Sequence, residues 1–191
     1  KIDSRILAQL LRADFLPTSF IADPKTRDER EWLRHRIYLV RLQTSVKVRI
    51  HCLIDKYNLR HDFSDLFGKA GIAFLKSLEL PEHTQKSLEG LLRTLEFIHE
   101  ELRPIRNQMI ASAKEDEDAK LLESIPGFGY FSSLLFLKEV GCVDRFPSAK
   151  KLTAYSGLAP GISSSGGKTH TRGITKEGNK YLRWLLIQAA S

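Results

Sequence analysis

The strongest constraint in this chain is one run of apolar residues. Leu88, Leu91, Leu95, Ile98, Leu102, Ile105 and Met109 recur at alternating spacings of 3 and 4. An α-helix turns once in about 3.6 residues, so such a series draws a single apolar seam along a long helix. A seam of that length needs a cover. Upstream, Trp32, Leu39, Leu42, Val46, Ile50, Leu53 and Tyr57 fall on one stripe of a helix expected over about Arg27 to Arg60, with a start signal at Asp23-Pro24. The two segments differ in charge. Arg27 to Arg60 holds nine bases and four acids, and Glu82 to Lys120 holds six bases and nine acids. Opposite signs favour their pairing, and the expected product is a long antiparallel coiled-coil arm. Pro104 should kink the second helix or interrupt one of its hydrogen bonds.

Shorter elements flank the arm. Asp3 to Ala13 reads as a helix with an apolar face at Ile6, Leu7, Leu10 and Leu11; Leu16 to Pro24 reads as a loop. A short helix is expected near Ala70 to Leu78, another from about Tyr130, and a last one from about Lys176 to Ala190. The acid run Glu115-Asp116-Glu117-Asp118 points around a helix rather than converging, so it reads as a dipole-favoured helix start, not a metal site. The fold class is mainly α: the arm, then a small helical domain with a helix-hairpin-helix-like turn and a Gly/Ser-rich loop.

Charge is distributed unevenly. Arg145 to Ser191 contains eight bases and one acid, whereas residues 1 to 144 balance at 22 of each. A neutral body with a basic end points to a polyanion at that end. No stretch approaches the roughly 18 apolar residues of a membrane span. Cys52 and Cys142 stand alone, as in a reducing cytoplasm. The chain starts at Lys1 without a methionine, and it is expected to be a piece of a longer protein.

Two stretches in the basic end carry candidate chemistry. In Ile125-Pro126-Gly127-Phe128-Gly129, Gly127 and Gly129 permit close backbone approach, and a helix starting at Tyr130 would aim free N–H groups at a phosphate. The turn resembles the helix-hairpin-helix motif. The second stretch is Tyr155 to Lys180, rich in Gly, Ser, Thr and bases. Gly167-Lys168-Thr169 ends like a phosphate-binding P-loop, but the motif wants Gly at position 162, where Ile162 stands. His170 is a possible base for a serine, yet no Ser-His-Asp order is visible. The six His and two Cys give no zinc spacing, and His51-Cys52 is a weak pair. What remains is a small-hydroxyl loop flanked by bases. A serine there could attack a phosphodiester if activated, and the residues alone do not separate Ser163, Ser164, Ser165 and Thr169.

Taken together, the C-terminal motifs resemble a known family. Ile125 to Gly129, Phe146 with Lys150 to Tyr155, Gly157-Leu158-Ala159-Pro160, Ser165-Gly166-Gly167, Gly173-Ile174-Thr175-Lys176, Gly178-Asn179 and Leu182-Arg183 match, in order and spacing, the transposase domain of the IS110/IS116/IS902 family. Lys1-Ile2-Asp3, Leu7-Ala8 and Leu11-Arg12 resemble the end of that family's RuvC-like domain. The resemblance implies three regions: 1–24, the end of a truncated RuvC-like domain; 25–118, a helical coiled-coil linker; and 119–191, the transposase domain.

It also implies a DNA recombinase with two half-sites, one of four acids holding Mg²⁺ and one a serine that joins covalently to DNA, with a guide RNA from the element. Carried over by position, Asp3 is the last of the four acids and a metal ligand. Ser165 is the nucleophile, with Ser164 as fallback. Lys168, Arg172, Lys176 and Arg183 are candidate phosphate contacts by charge and placement, beside Gly127 and Gly129. The implied partners are DNA, the guide RNA and further copies of the chain as a dimer or tetramer, in the cytoplasm at the nucleoid. With one acid of four present, the chain alone is expected to be inactive. Two other readings stand beside this one: a non-catalytic nucleic-acid-binding module, and a coiled-coil dimeriser whose basic tail is incidental.

Overall fold

The computed structural model describes residues 2–16, 20–165 and 168–191; Lys1, residues 17–19 and Gly166-Gly167 lie outside the described residues, as do the side chains of Ile2, residues 163–165 and residues 168 and 169. The chain enters through α1 (Ile2–Arg12), whose Ile6, Leu7 and Leu11 all remain exposed. Asp23 then starts α2 (Pro24–Lys56). Its carboxylate accepts from the Thr26 backbone N–H at 3.0 Å and from the Thr26 hydroxyl at 2.6 Å. Pro24 occupies the first helical position, where a missing N–H is harmless. These bonds, the Thr26 hydroxyl first, hold the Asp23 carboxyl below the usual carboxylate range.

Helix α3 (Lys69–Ser77) crosses to α4 (Glu82–Glu115), which runs on through Pro104. The two long helices pack antiparallel. Leu39, Val46, Ile50 and Ile54 of α2 share one core with Leu88, Leu92, Leu95 and Ile98 of α4. Leu33 and Ile37 share a second core with Met109 and Ala113. The buried stripe of α2 includes Leu33, Ile37 and Ile54, which the sequence stripe omitted, while Trp32 is only half-buried. On α4 the expected seam residue Leu91 is half-buried and Leu92 is buried instead. The reason is α3: its Leu75, with Leu66 before it, joins the first core. The helix therefore covers a broader face than a two-helix seam.

The second long helix ends earlier than expected. Asp116 leaves helical geometry and its carboxylate accepts from Ala119 N–H at 3.0 Å, which opens α5 (Glu117–Glu123). The acid run thus starts a helix. After the Ser124–Gly129 turn comes α6 (Tyr130–Val140), the most buried helix of the C-terminal part, with Leu134 and Leu135 in the second core. A 3₁₀ turn (Val143–Arg145) and α7 (Ala149–Tyr155) follow.

The Gly/Ser-rich segment is not a loop. It is a two-stranded antiparallel ribbon, β1 (Pro160–Ser165) and β2 (Lys168–Ile174), joined across the Gly166-Gly167 positions, with an irregularity between Pro160 and Gly161. The last helix also starts later than expected. Lys176 takes φ +58° and Gly178 φ +111°, so the chain turns there and α8 (Lys180–Ala189) begins under an Asn179 cap. Leu182 and Leu185 anchor α8. Eight α-helices and one two-stranded sheet among the described residues make the fold mainly α. Among those residues, no helix is long and apolar enough to cross a membrane.

Candidate nucleic-acid and catalytic site

The ribbon sorts its residues by register. Ser165 pairs with Lys168, Ser163 with His170 and Gly161 with Arg172; Ser164 pairs with Thr169 and Ile162 with Thr171. Directly opposed residues share a face, and alternate residues share it too. Positions 161, 163, 165, 168, 170 and 172 therefore lie on one face. Positions 162, 164, 169 and 171 lie on the other, which carries no charged residue. Of the candidate phosphate contacts, Arg172 and Lys176 are exposed.

The ribbon's base is held by backbone bonds. Thr175 N–H donates to Ala159 O at 2.9 Å, Lys176 N–H to Gly157 O at 3.0 Å and Asn179 N–H to Tyr155 O at 2.8 Å. Arg183 belongs to this base. Its guanidinium donates to Lys176 O at 2.9 Å and Ser156 O at 3.3 Å. A basic residue read as a phosphate contact thus holds two carbonyls through its Nη1 where the two chain segments meet.

The candidate turn divides in the same way. Gly127 takes φ +90°, and a Cβ there would overlap the Ala189 carbonyl, so this glycine lets the turn pack against the end of α8. Gly129 caps α6 in extended geometry, and nothing lies within 4 Å of where its Cβ would be. Its N–H donates to the Ser132 hydroxyl at 2.7 Å. The next N–H groups are those a helix leaves without an acceptor. In the first turn of α6, the Phe131 ring has the Arg36 guanidinium of α2 3.9 Å from its centroid. Arg36 is a cation near the α6 start that sequence reading did not single out; it comes from the arm, about 95 residues away, and no local pattern marks it.

Asp3 lies in the first turn of α1 and is exposed. It forms no ion pair among the described residues. Among those residues no three His, Cys, Asp or Glu side chains come together as metal ligands. One carboxylate does not make a two-metal site, so Asp3 alone does not fit Mg²⁺.

Among the described residues of this half, one charged residue is wholly buried. Glu139, on α6, is 0% exposed. Arg34 Nε donates to its Oε1 at 2.8 Å and Arg34 Nη2 to its Oε2 at 2.9 Å, a two-pronged pair from α2. Asn179 Nδ2 donates to the same Oε2 at 2.7 Å. Asn179 Oδ1 meanwhile accepts from Tyr181 N–H at 3.0 Å and Leu182 N–H at 3.1 Å, capping α8. The Arg34 guanidinium also covers the Tyr181 ring at 4.6 Å. The bonds to Glu139 hold the Arg34 guanidinium above its usual pKa.

Sequence comparison decides the family. Residues 119–191 match the Transposase IS116/IS110/IS902 family. The chain is 30% identical over 185 residues to the transposase for insertion sequence element IS1328 of Yersinia enterocolitica, covering 91% of this chain and 53% of that protein. It is 31% identical over 170 residues to the transposase for insertion sequence element IS1111A of Coxiella burnetii, covering 86% of this chain and 46% of that one. This chain belongs to the IS116/IS110/IS902 transposase family. A further relative, the insertion element IS110 uncharacterized 43.6 kDa protein of Streptomyces coelicolor, is 32% identical over 101 residues, covering 53% of this chain and 25% of its own length. The chain spans about half the length of the curated transposases it matches first. Within this IS116/IS110/IS902 chain, the family region 119–191 contains every candidate site residue except Asp3.

Proposed function

We propose that this chain is part of an insertion-sequence DNA recombinase, and that Ser165 is the nucleophile that cuts and rejoins DNA. The observation that carries this reading is the strand register. Position 165 shares its ribbon face with Lys168, His170 and Arg172, whereas position 164 shares the other face with Ile162 and Thr171. A serine that attacks a phosphodiester needs cations on its own side to stabilise the extra negative charge of the transition state. The register favours Ser165 over Ser164 on that ground.

The wider reading follows the family resemblance. Residues 1–24 would close a RuvC-like domain, 25–118 would form the arm and 119–191 the transposase domain. Mg²⁺ would be held by acids of the longer protein together with Asp3, and no step is assigned to it here. Duplex DNA is the substrate, a guide RNA selects the target, and further copies of the chain complete the assembly in the cytoplasm at the nucleoid. This piece alone would not cut DNA.

The test is a covalent adduct. The protein, extended to the length of its relatives, is incubated with element DNA, Mg²⁺ and RNA from the element's flank. It is then digested and searched by mass spectrometry for a nucleotide-bearing peptide. An adduct on Ser165 is expected. An adduct on Ser164 would keep the chemistry and overturn the residue. No adduct in a preparation that cuts DNA would move cleavage to the acids.

A second reading has its own observation. Helices α5 and α6 pack against each other across a turn whose Gly129 is unobstructed, which suits a phosphate grip without catalysis. Under that reading Ser165→Ala leaves every activity unchanged, whereas under the first it abolishes strand exchange and spares DNA binding.

A further inference from the structure

From the buried junction at Glu139 we infer that this residue positions the ribbon: its carboxylate fixes the angle between helix α2 and the strands β1 and β2. The catalytic part of this inference rests on the Ser165 reading; the geometric part does not.

The Glu139 carboxylate joins three elements through a single polar group. Arg34 brings α2, Glu139 brings α6, and Asn179 brings the residue that caps α8 and closes the ribbon's base. Asn179 uses all its hydrogen-bonding edges at once. Its N–H holds Tyr155 O, its Oδ1 caps α8 and its Nδ2 reaches Glu139. A shift of α2 relative to α6 is therefore passed to Asn179, and from there to both strands.

A buried ion pair adds little net stability compared with well-packed apolar residues. What it does supply is direction. The fork of Arg34 meets the carboxylate plane through two nearly equal bonds, an arrangement that tolerates little rotation. Apart from this junction, the ribbon packs mainly on itself, so its aim depends on its base. The Arg183 bonds to Ser156 O and Lys176 O stiffen the same base.

The experiment separates the cap of α8 from the link to Glu139. Asn179→Asp and Asn179→Ser both retain a good helix cap, but neither can donate the amide hydrogen bond to Glu139. Spin labels are placed on Cys52 in α2 and on Thr171→Cys in β2, with Cys142→Ser removing the other thiol. Both labelled positions are exposed. Pulsed dipolar spectroscopy then reads the arm-to-ribbon distance distribution. In the folded variants it is expected to broaden or shift by several ångströms. An unchanged distribution overturns the inference.

The second readout is the rate of Ser165–DNA adduct formation at saturating DNA in the extended protein. It is expected to fall roughly tenfold or more, because small misplacement of a reacting group has large effects on rate, while the DNA Kd stays within about twofold. An unchanged adduct rate in a variant with a changed distance would overturn the catalytic part. If the unsubstituted protein forms no Ser165 adduct, the serine reading fails, and the distance measurement still decides the role of Glu139. Should the Asn179 variants not fold, Arg34→Lys, which keeps the charge and loses the fork, is measured in the same way, with the same expected broadening.

Discussion

Single residues show how differently two similar-looking positions act. Gly127 and Gly129 sit in one turn, yet a methyl group would overlap the Ala189 carbonyl at the first and meet nothing at the second. Gly127→Ala should destabilise the protein by more than about 2 kcal/mol, combining a positive φ with a backbone overlap. Gly129→Ala should cost less, about 0.5–1 kcal/mol, as a weaker helix cap. Denaturant unfolding of the two variants checks this. Asp23 gives a pH signature. Its folded pKa is lowered by the Thr26 bonds, so its contribution is fully present above about pH 4, the usual Asp range, and is lost as pH falls through the lower folded value. Asp23→Asn should therefore remove part of the acid-side loss of stability followed by far-UV circular dichroism, because the variant already lacks that contribution at pH 7.

At the scale of elements, the helices could be read from the sequence because periodic burial leaves a pattern. The heptad run and the Asp23-Pro24 start placed α2 and α4 to within a few residues at the start, and the acid run marked the start of α5. The ribbon could not be read from periodicity, since Ser, Thr and Gly carry no apolar alternation. Its one local signal is the Gly-Gly pair at 166 and 167 between short runs, a residue type that two-residue hairpin turns favour. Arg183 and Glu139 were beyond sequence reading for another reason. Charge says that a side chain prefers water or a partner, and only the fold supplies partners 7, 27, 40 and 105 residues away. The Glu139 junction carries a stability prediction of its own. Arg34→Met should cost about 3 kcal/mol or more, because it leaves a buried carboxylate without its cation. Adding Glu139→Met should return part of that loss, and thermal unfolding of the single and double variants measures the difference.

At the scale of the whole molecule, the charge imbalance read from the sequence survives folding only in part. Arg172 and Lys176 are exposed, while Arg183 holds carbonyls. If the basic end binds DNA through phosphates, Arg172→Gln should lower the slope of log Kd against log salt by about 1. Arg183→Gln should leave that slope unchanged and lower the melting temperature instead. Titrations at several salt concentrations, set beside a melt, distinguish the two kinds of arginine.

Helix α2 runs for 33 residues without a break and takes part in both cores. At 1.5 Å per residue it is a rod of roughly 50 Å. Glu139 grips it through Arg34, about ten residues from one end. The rod is a lever with its fulcrum near the ribbon: a tilt of roughly 5° displaces its far tip by about 3 Å, a distance on the scale of one hydrogen bond. If Glu139 couples this rod to the ribbon as inferred, a load at that tip would act on the ribbon with mechanical advantage.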